Sequence, residues 1–485
     1  MPRTRSPGRG SQLTLRHENF CIRKIRVLRE NRAGSPKISS VPISPRVNPQ
    51  RSVFLGFLTV ILAGTLLLLL PISHLQPSAH RIIDNLFTAV SATCVTGLST
   101  VDTPKYWSTT GLVIIMLLIQ VGGLGVMTLA TAIGASIQRN HMSLNAKLKT
   151  SAEVRGNGLF NMRKAVLRII KISLMFEAAG ALIMSLRFYF GYGMSLGNAL
   201  WHGVFHAVSA FNNAGFALYS DNLMSFTDDP VILLTISLLI ICGGLGFPVL
   251  MQLRKYGVHR HFWNMGTKLV LYGTAILLVV GTVGVAVIEW NNPATLGPMN
   301  VWEKLLNAFA QSVSTRTAGF NNLNMGALHP STLMFIDLLM FIGGGPAGTA
   351  GGIKITTFGV LFFILLTEMR GDGAVNIFGK RLSRSVHREA ITVVLLSAAL
   401  IFASVFVLQL LTNFTSDQIV FEVVSAFATV GLSTGITPVM PDAGKIILII
   451  LMVVGRVGPV TAAAAFAFRR KAVYYEFPKE RPIIG

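Results

Sequence analysis

The chain has 485 residues, of which 52% are hydrophobic and only 13% charged. A soluble protein carries about a quarter charged residues, so this composition excludes a string of ordinary soluble domains. The net charge of +22, from 42 Lys and Arg against 20 Asp and Glu, would suit a nucleic-acid binder, but here the basic residues sit in clusters between apolar runs rather than on one patch.

In chain order, residues 1–51 come first. They are rich in Arg, Ser and Pro, with Arg3, Arg5, Arg9, Arg16, Arg23 and Lys24 among the basic residues. The expectation is a largely disordered cytoplasmic tail, although Arg-rich, acid-poor tails also resemble organelle transit peptides. Val53 to His74 then contains no Asp, Glu, Lys or Arg, and neither do Gly111 to Gln138, Val231 to Leu253 or Leu269 to Ile288. Each reaches the roughly 20 residues that cross a hydrocarbon core as a helix. The first run is too long for a secretory leader. Between the runs lie Arg139, Lys147, Lys149, Arg155, Arg163 and Lys164, then Arg254, Lys255 and Arg260, then Arg370, Lys380, Arg381, Arg384 and Arg388, with Arg469, Arg470 and Lys471 after the last. The alternate loops hold Asp102, Asp221, Asp228, Asp229, Glu289 and Asp417. By the positive-inside rule this alternation predicts a multi-pass cell-membrane protein with both termini in the cytoplasm. Cys21, Cys94 and Cys242 form neither a disulfide framework nor a metal spacing.

Four short segments look alike: Thr93-Cys94-Val95-Thr96-Gly97-Leu98, Phe211-Asn212-Asn213-Ala214-Gly215-Phe216, Thr315-Arg316-Thr317-Ala318-Gly319-Phe320 and Ala428-Thr429-Val430-Gly431-Leu432-Ser433. Their glycines are 118, 104 and 112 residues apart (97 to 215, 215 to 319, 319 to 431). A short apolar stretch precedes each, with an acidic or amide residue near its start: Asp84, Asn198, Glu303 and Gln418. At about 10–15 residues these stretches suit re-entrant helices rather than spans. A second glycine mark follows each segment: Gly122-Gly123-Leu124-Gly125, Gly243-Gly244-Leu245-Gly246, Gly343-Gly344-Gly345-Pro346 and Gly455-Arg456-Val457-Gly458. These begin 25, 28, 24 and 24 residues after the corresponding glycine.

Two marks in register, four times over, predict an all-α membrane protein of four span–pore helix–filter loop–span repeats, hence eight transmembrane helices around one pore. The expected divisions are 1–51 (tail), 52–140, 141–254, 255–370 and 371–470 (pore repeats one to four) and 471–485 (cytoplasmic C-terminus).

Non-helical backbone at membrane depth is tolerated only where it lines a cavity or is buried in protein. Inward-pointing carbonyls can replace a cation's water shell, and glycine permits the positive φ that turns successive carbonyls to one side. The expected coordinating residues are Val95, Thr96 and Gly97, then Asn213, Ala214 and Gly215, then Thr317, Ala318 and Gly319, then Thr429, Val430 and Gly431. Uncharged carbonyls suit a monovalent cation, and glycine at all four positions favours potassium over sodium.

These segments resemble the Trk/Ktr/HKT superfamily of potassium transporters over essentially residues 52–470, and most of all the Ktr-type membrane subunit. The resemblance implies a homodimer in membrane lipid, seated on a cytoplasmic nucleotide-binding regulatory ring. It implies no enzyme activity and no nucleic-acid partner. Potassium would be the transported ion, with sodium or protons left open as coupling ions. A sodium-selective or poorly selective transporter of the same architecture is the alternative. A membrane enzyme would need polar residues converging within the spans, and a non-transporting anchor would not need four matched loops.

The third repeat departs from the others. Gly343, Gly344, Gly345, Gly348, Gly351 and Gly352, with Pro346, cannot hold a stable helix, so a movable gate loop is expected there. Arg456 stands within Lys445 to Phe468 where the other repeats have Gly123, Gly244 and Gly344. It is expected to line the pore below the filter and touch the gate loop, against a structural pairing with Asp337 or Glu177. Glu177 shares its span with Arg168 and Lys171, so helix-spaced pairs are an expectation there, although Lys171 to Glu177 is too far for an i,i+4 contact; no function is assigned to them. Tyr106, Trp107, Trp201, Trp290 and Trp302 are expected as membrane-interface anchors.

Overall fold

The computed structural model describes residues 49–75, 81–140 and 158–466. The basic tail before Pro49, the cluster of Lys147, Lys149 and Arg155, the triplet Arg469 to Lys471 and the stretch 471–485 lie outside the described residues, as does Cys21.

The described chain is largely helical. α1 (Pro49–Leu68) is followed by α2 (Ile82–Cys94) and α3 (Thr109–Asn140), then α4 (Gly158–Tyr192), α5 (Leu196–Phe211), α6 (Pro230–Leu245) and α7 (Phe247–Tyr256). Next come α8 (Met265–Glu289), α9 (Val301–Ser314), α10 (Pro330–Phe341) and α11 (Ile355–Arg370). β1 (Asn376–Ile377) and β2 (Lys380–Arg381) form a small antiparallel pair before α12 (Arg384–Leu411), α13 (Ser416–Ala428), α14 (Asp442–Val457) and α15 (Pro459–Phe466).

Local chemistry explains where these helices start. Asn300 and Glu303 make a capping box at α9, and Thr415 and Gln418 make another at α13. Ser195 caps α5, and the Asp229 carboxylate accepts from the Val231 and Ile232 amides at 2.9 and 3.3 Å to cap α6. Each cap satisfies amides that the first helical turn leaves unpaired. Glu303 and Gln418, two of the four residues marked in the sequence, therefore act as helix-start signals.

The four short helices α2, α5, α9 and α13 have 13, 16, 14 and 13 residues. At 1.5 Å per residue they are roughly 20–24 Å long, less than the ~30 Å of a hydrocarbon core. Around them stand longer apolar helices. Val166–Tyr192 within α4, α8 and α12 are long and apolar enough to cross a membrane, and α6 with α7 would make a fourth span if the bent pair is taken as one. Their outward faces are apolar: Leu58, Leu62 and Leu66 on α1, Val279, Val283 and Val287 on α8, and Phe402, Phe406 and Leu410 on α12 are all exposed. Such a surface is unfavourable in water and suits lipid tails.

The packing is cyclic. α3 packs on α5, α6 on α9, α10 on α13, and α14 returns to α2. The closing seam carries a buried ion pair. Lys445 Nζ of α14 donates to Asp84 Oδ1 of α2 at 2.8 Å, with side chains only 2% and 7% exposed. Removing one partner of such a pair costs about 3–5 kcal/mol, because the other charge stays buried and unpaired. Lys445→Met is thus expected to lower the melting temperature of the purified protein clearly, and adding Asp84→Asn should restore much of it. A single variant that melts like the wild type would remove the pair from any role in holding the seam.

Several expectations need correction. Val231 to Leu253 is not one straight span: the chain bends by 97° between α6 and α7, where Gly246 takes φ 86°. Lys445 to Phe468 likewise breaks at Gly458, φ 93°, so Arg456 lies in the last turn of α14 rather than mid-span. Both breaks fall on the last glycine of the second glycine mark. α1 ends at Leu68, before Pro71, rather than at His74. Trp107 is no interface anchor; it is 1% exposed and packed beside His74 and Tyr106. Glu177 pairs across helices, accepting from Gln120 at 3.1 Å and Asn212 at 3.2 Å, rather than along its own helix.

Candidate functional site

Each short helix ends at one of the four glycine segments, and the backbone there follows one pattern. The residue two before the glycine is left-handed: Val95 (φ 56°), Asn213 (59°), Thr317 (67°) and Thr429 (51°). The glycine itself has φ 93°, 70°, 71° and 96° at 97, 215, 319 and 431. The intervening Thr96, Ala214, Ala318 and Val430 do not share the positive φ. A left-handed conformation costs an L-residue roughly 1–2 kcal/mol, most acutely for β-branched Val and Thr. Tight helix ends hold it in place. The amides of Thr96, Ala214 and Val430 donate to the carbonyls of Ser91, Ser209 and Ser425 at 2.8, 2.7 and 2.8 Å.

The four segments stand side by side in a closed cycle that follows chain order. A Cβ placed on Gly97 would meet the Ala214 carbonyl oxygen and lie 3.1 Å from Gly215 Cα. On Gly215 it would lie 3.0 Å from Gly319 Cα, on Gly319 3.1 Å from Gly431 Cα, and on Gly431 3.0 Å from Gly97 Cα. Each glycine thus abuts the next segment's backbone, and the fourth abuts the first. A side chain at any of the four would press on its neighbour's peptide.

Polar side chains behind the segments hold them. Ser91 Oγ accepts the Gly97 amide and Ser425 Oγ the Gly431 amide, both at 3.1 Å. Ser209 Oγ donates to the Phe216 carbonyl at 2.7 Å. Asn222 Nδ2 donates to the Gly215 carbonyl at 3.3 Å and reaches that of Gly319 at 3.5 Å. Buried Glu422 accepts from Thr437 Oγ1 at 2.8 Å and the Thr434 amide at 3.1 Å, fixing the chain after Gly431. Sequence reading missed these groups. The serine six residues before Gly97, Gly215 and Gly431 is a signal that alignment of the segments could have revealed.

The glycine-rich stretch between α10 and α11 is non-helical and packs against these segments. Gly345 and Thr349 amides donate to the Gly244 and Gly243 carbonyls at 2.8 and 3.3 Å. Gly343 donates to Ile353, and Ile355 to Gly344, at 2.8 and 3.0 Å. A Cβ on Gly345 would meet the Leu245 carbonyl, one on Gly348 would sit 3.1 Å from the Gly243 carbonyl, and one on Gly351 would strike Thr429. Gly352 lies against Ala428, and Gly344 against Gly244 and Ala350. The glycines are therefore sites of close backbone approach. Thr349 Oγ1 lies 3.2 Å from the Phe211 carbonyl and 3.1 Å from Asn213 Oδ1, so its one proton is shared between the two.

Arg456, 3% exposed, binds two backbone carbonyls. Its Nη1 donates to Thr349 in the glycine-rich stretch, and its Nη2 to Gly122 at 3.1 Å. The ion pairs found among the described residues do not include it, so it is not held by Asp337 or Glu177. A Cβ on Gly122, Gly243 or Gly455 would meet the carbonyl of Thr93, Phe211 or Phe427 at the end of the adjoining short helix. The following residues, Gly123, Gly244 and Arg456, are therefore structural counterparts.

Apolar helices of spanning length around a closed cycle of irregular backbone segments are the architecture of a membrane protein whose non-helical backbone is buried in protein or lines a cavity. The chain belongs to the TrkH family of cation transport proteins, whose family model matches residues 52–472. It is 41% identical to the Ktr system potassium uptake protein B of Bacillus subtilis, over 87% of this chain and 94% of that one. It is 37% identical to the Vibrio alginolyticus protein of the same name, over 90% and 94%. Its identity to the potassium/sodium uptake protein NtpJ of Enterococcus hirae is 33%, over 91% and 98%. The crystal structure of the potassium transporter TrkH from Vibrio parahaemolyticus has the same fold, with a TM-score of 0.70 at 18% identity, covering 88% of this chain and 86% of that one.

Proposed function

We propose that the chain takes up potassium across the cell membrane through one pore, with the four glycine segments as its selectivity filter. The observation that carries this reading is the closed cycle of Gly97, Gly215, Gly319 and Gly431, each set against the next. Carbonyls of Val95, Thr96 and Gly97, and of the matching residues in the other segments, replace the ion's hydration shell. The short helices end at the same ring, and the partial negative charge of a helix C-terminus, about half an elementary charge, favours a cation there.

The pore divides into units 52–140, 141–254, 255–370 and 371–470, each a span, a short helix, a filter segment and a second span. Eight spans put both termini in the cytoplasm, in keeping with the basic loops. Residues 343–352 form the gate below the filter, latched by Thr349 and clasped by Arg456. The chain works as a homodimer in lipid with a cytoplasmic nucleotide-binding subunit. The relatives' description as parts of a Ktr system supports a multi-component assembly.

A second reading, transport of sodium as well, is favoured by the relative described as a potassium/sodium uptake protein. Potassium-starved cells expressing the chain separate the two. Rubidium uptake should exceed sodium uptake at equal concentration. Equal rates would establish the poorly selective reading, and no flux would overturn both.

A further inference from the structure

Arg316 lies inside the third glycine segment, one residue before Thr317, yet its side chain turns away into the protein. It is 8% exposed. Its Nη1 makes one long contact, 3.4 Å to the Thr274 carbonyl. Its Nε has no hydrogen-bond partner among the described residues, and neither does the Thr274 hydroxyl. Both line a small cavity with about 10 Å³ of free volume, walled by Ile240, Leu278 and Val313 and bordered by Gly244 and Gly344. Arg316 takes part in none of the ion pairs found among the described residues. A buried guanidinium without a counter-charge is costly, on the order of several kcal/mol even after the surroundings relax.

We propose that this cavity binds a small monovalent anion, chloride in solution, between Arg316 Nε and the Thr274 hydroxyl. Two unpaired donors in a mostly apolar wall suit a spherical halide. A carboxylate or phosphate would bring oxygens that these walls cannot satisfy. The anion has an electrostatic consequence for the proposed pore. A bare guanidinium beside Thr317 opposes a cation in the third segment, and a bound chloride offsets that field. The cavity also borders Gly344 of the proposed gate, so the anion sits between filter and gate. The site stands on the cavity alone, whereas its effect on flux rests on the pore reading.

The test has two independent arms. Crystals of the full chain grown in bromide without chloride should give an anomalous peak within hydrogen-bond reach of Arg316 Nε and Thr274 Oγ1, and Thr274→Val should remove it. A wild-type map with bromide only elsewhere, or with an ordered water at this position, overturns the site. In proteoliposomes, replacing chloride by gluconate should lower rubidium uptake at least about fivefold, the low end of coupling between two sites. The drop should be absent in Arg316→Gln. Equal uptake in both salts overturns the proposed effect on flux, and the diffraction arm remains decisive for the site because it needs no transport.

Discussion

Gly97→Ser is expected to lower the preference for potassium over sodium about tenfold, a change of ~1.4 kcal/mol between the two ions, while the protein still inserts and purifies. The serine Cβ would stand 2.5 Å from the Ala214 carbonyl oxygen and 3.1 Å from Gly215 Cα. The backbone there also has φ +93°, a conformation that disfavours any side chain. The neighbouring peptide has to move, and it carries one of the oxygens proposed to replace the ion's water. The whole cycle feels the change, because each segment leans on the next. Gly197→Ser is the control: a Cβ there meets nothing within 4 Å. Rubidium and sodium uptake by the two variants, normalised to protein in the membrane, provide the measurement. An unchanged ion ratio in Gly97→Ser would mean that the first segment does not form the filter.

Arg456→Gln is expected to raise flux about tenfold without changing the ion ratio. The guanidinium ties the Thr349 carbonyl of the glycine-rich stretch to the Gly122 carbonyl of α3. Hydrogen bonds from a charged donor contribute about 1.5–3 kcal/mol each, and the bond to Thr349 would be lost when the stretch moves. Its removal shifts a closed-to-open equilibrium by the difference between the two states, not by the full strength of the bond. The variant also takes a positive charge away from the proposed cation path. Glutamine retains a donor, which limits the damage to folding. Flux equal to or below the wild type, from protein of normal melting temperature, would remove Arg456 from the gate. Because selectivity and flux are assigned to different residues, Gly97→Ser and Arg456→Gln should leave different signatures.

Much of the fold was legible in the sequence for a local reason. An apolar run long enough to cross lipid is a property of consecutive residues, as are a helix cap and a glycine that breaks regularity. The four segments and their second marks could therefore be found by spacing alone. Less legible were features that look local but are settled by neighbours. Gly125, Gly246 and Gly458 occupy the same place in three glycine marks. Gly125 lies within α3, whereas Gly246 and Gly458 take positive φ and break their helices. Gly246 faces Pro346 and Gly348 of the glycine-rich stretch, a neighbour some hundred positions away that no local pattern records. Val95, Thr317 and Thr429 are β-branched residues in a left-handed conformation, against their own preference, because the helix ends and the adjoining segments hold them there.

By itself, then, the sequence determined a helical, lipid-facing chain with four equivalent glycine turns and a distinct third unit, since composition, spacing and hydropathy are carried by neighbouring residues. Tertiary structure decided that the turns meet in a closed cycle, that Asp84 and Lys445 seal its seam, that Arg456 binds carbonyls rather than carboxylates, and that Arg316 faces a cavity. Each of these depends on residues brought together from distant parts of the chain, and such contacts exist only once the helices have packed.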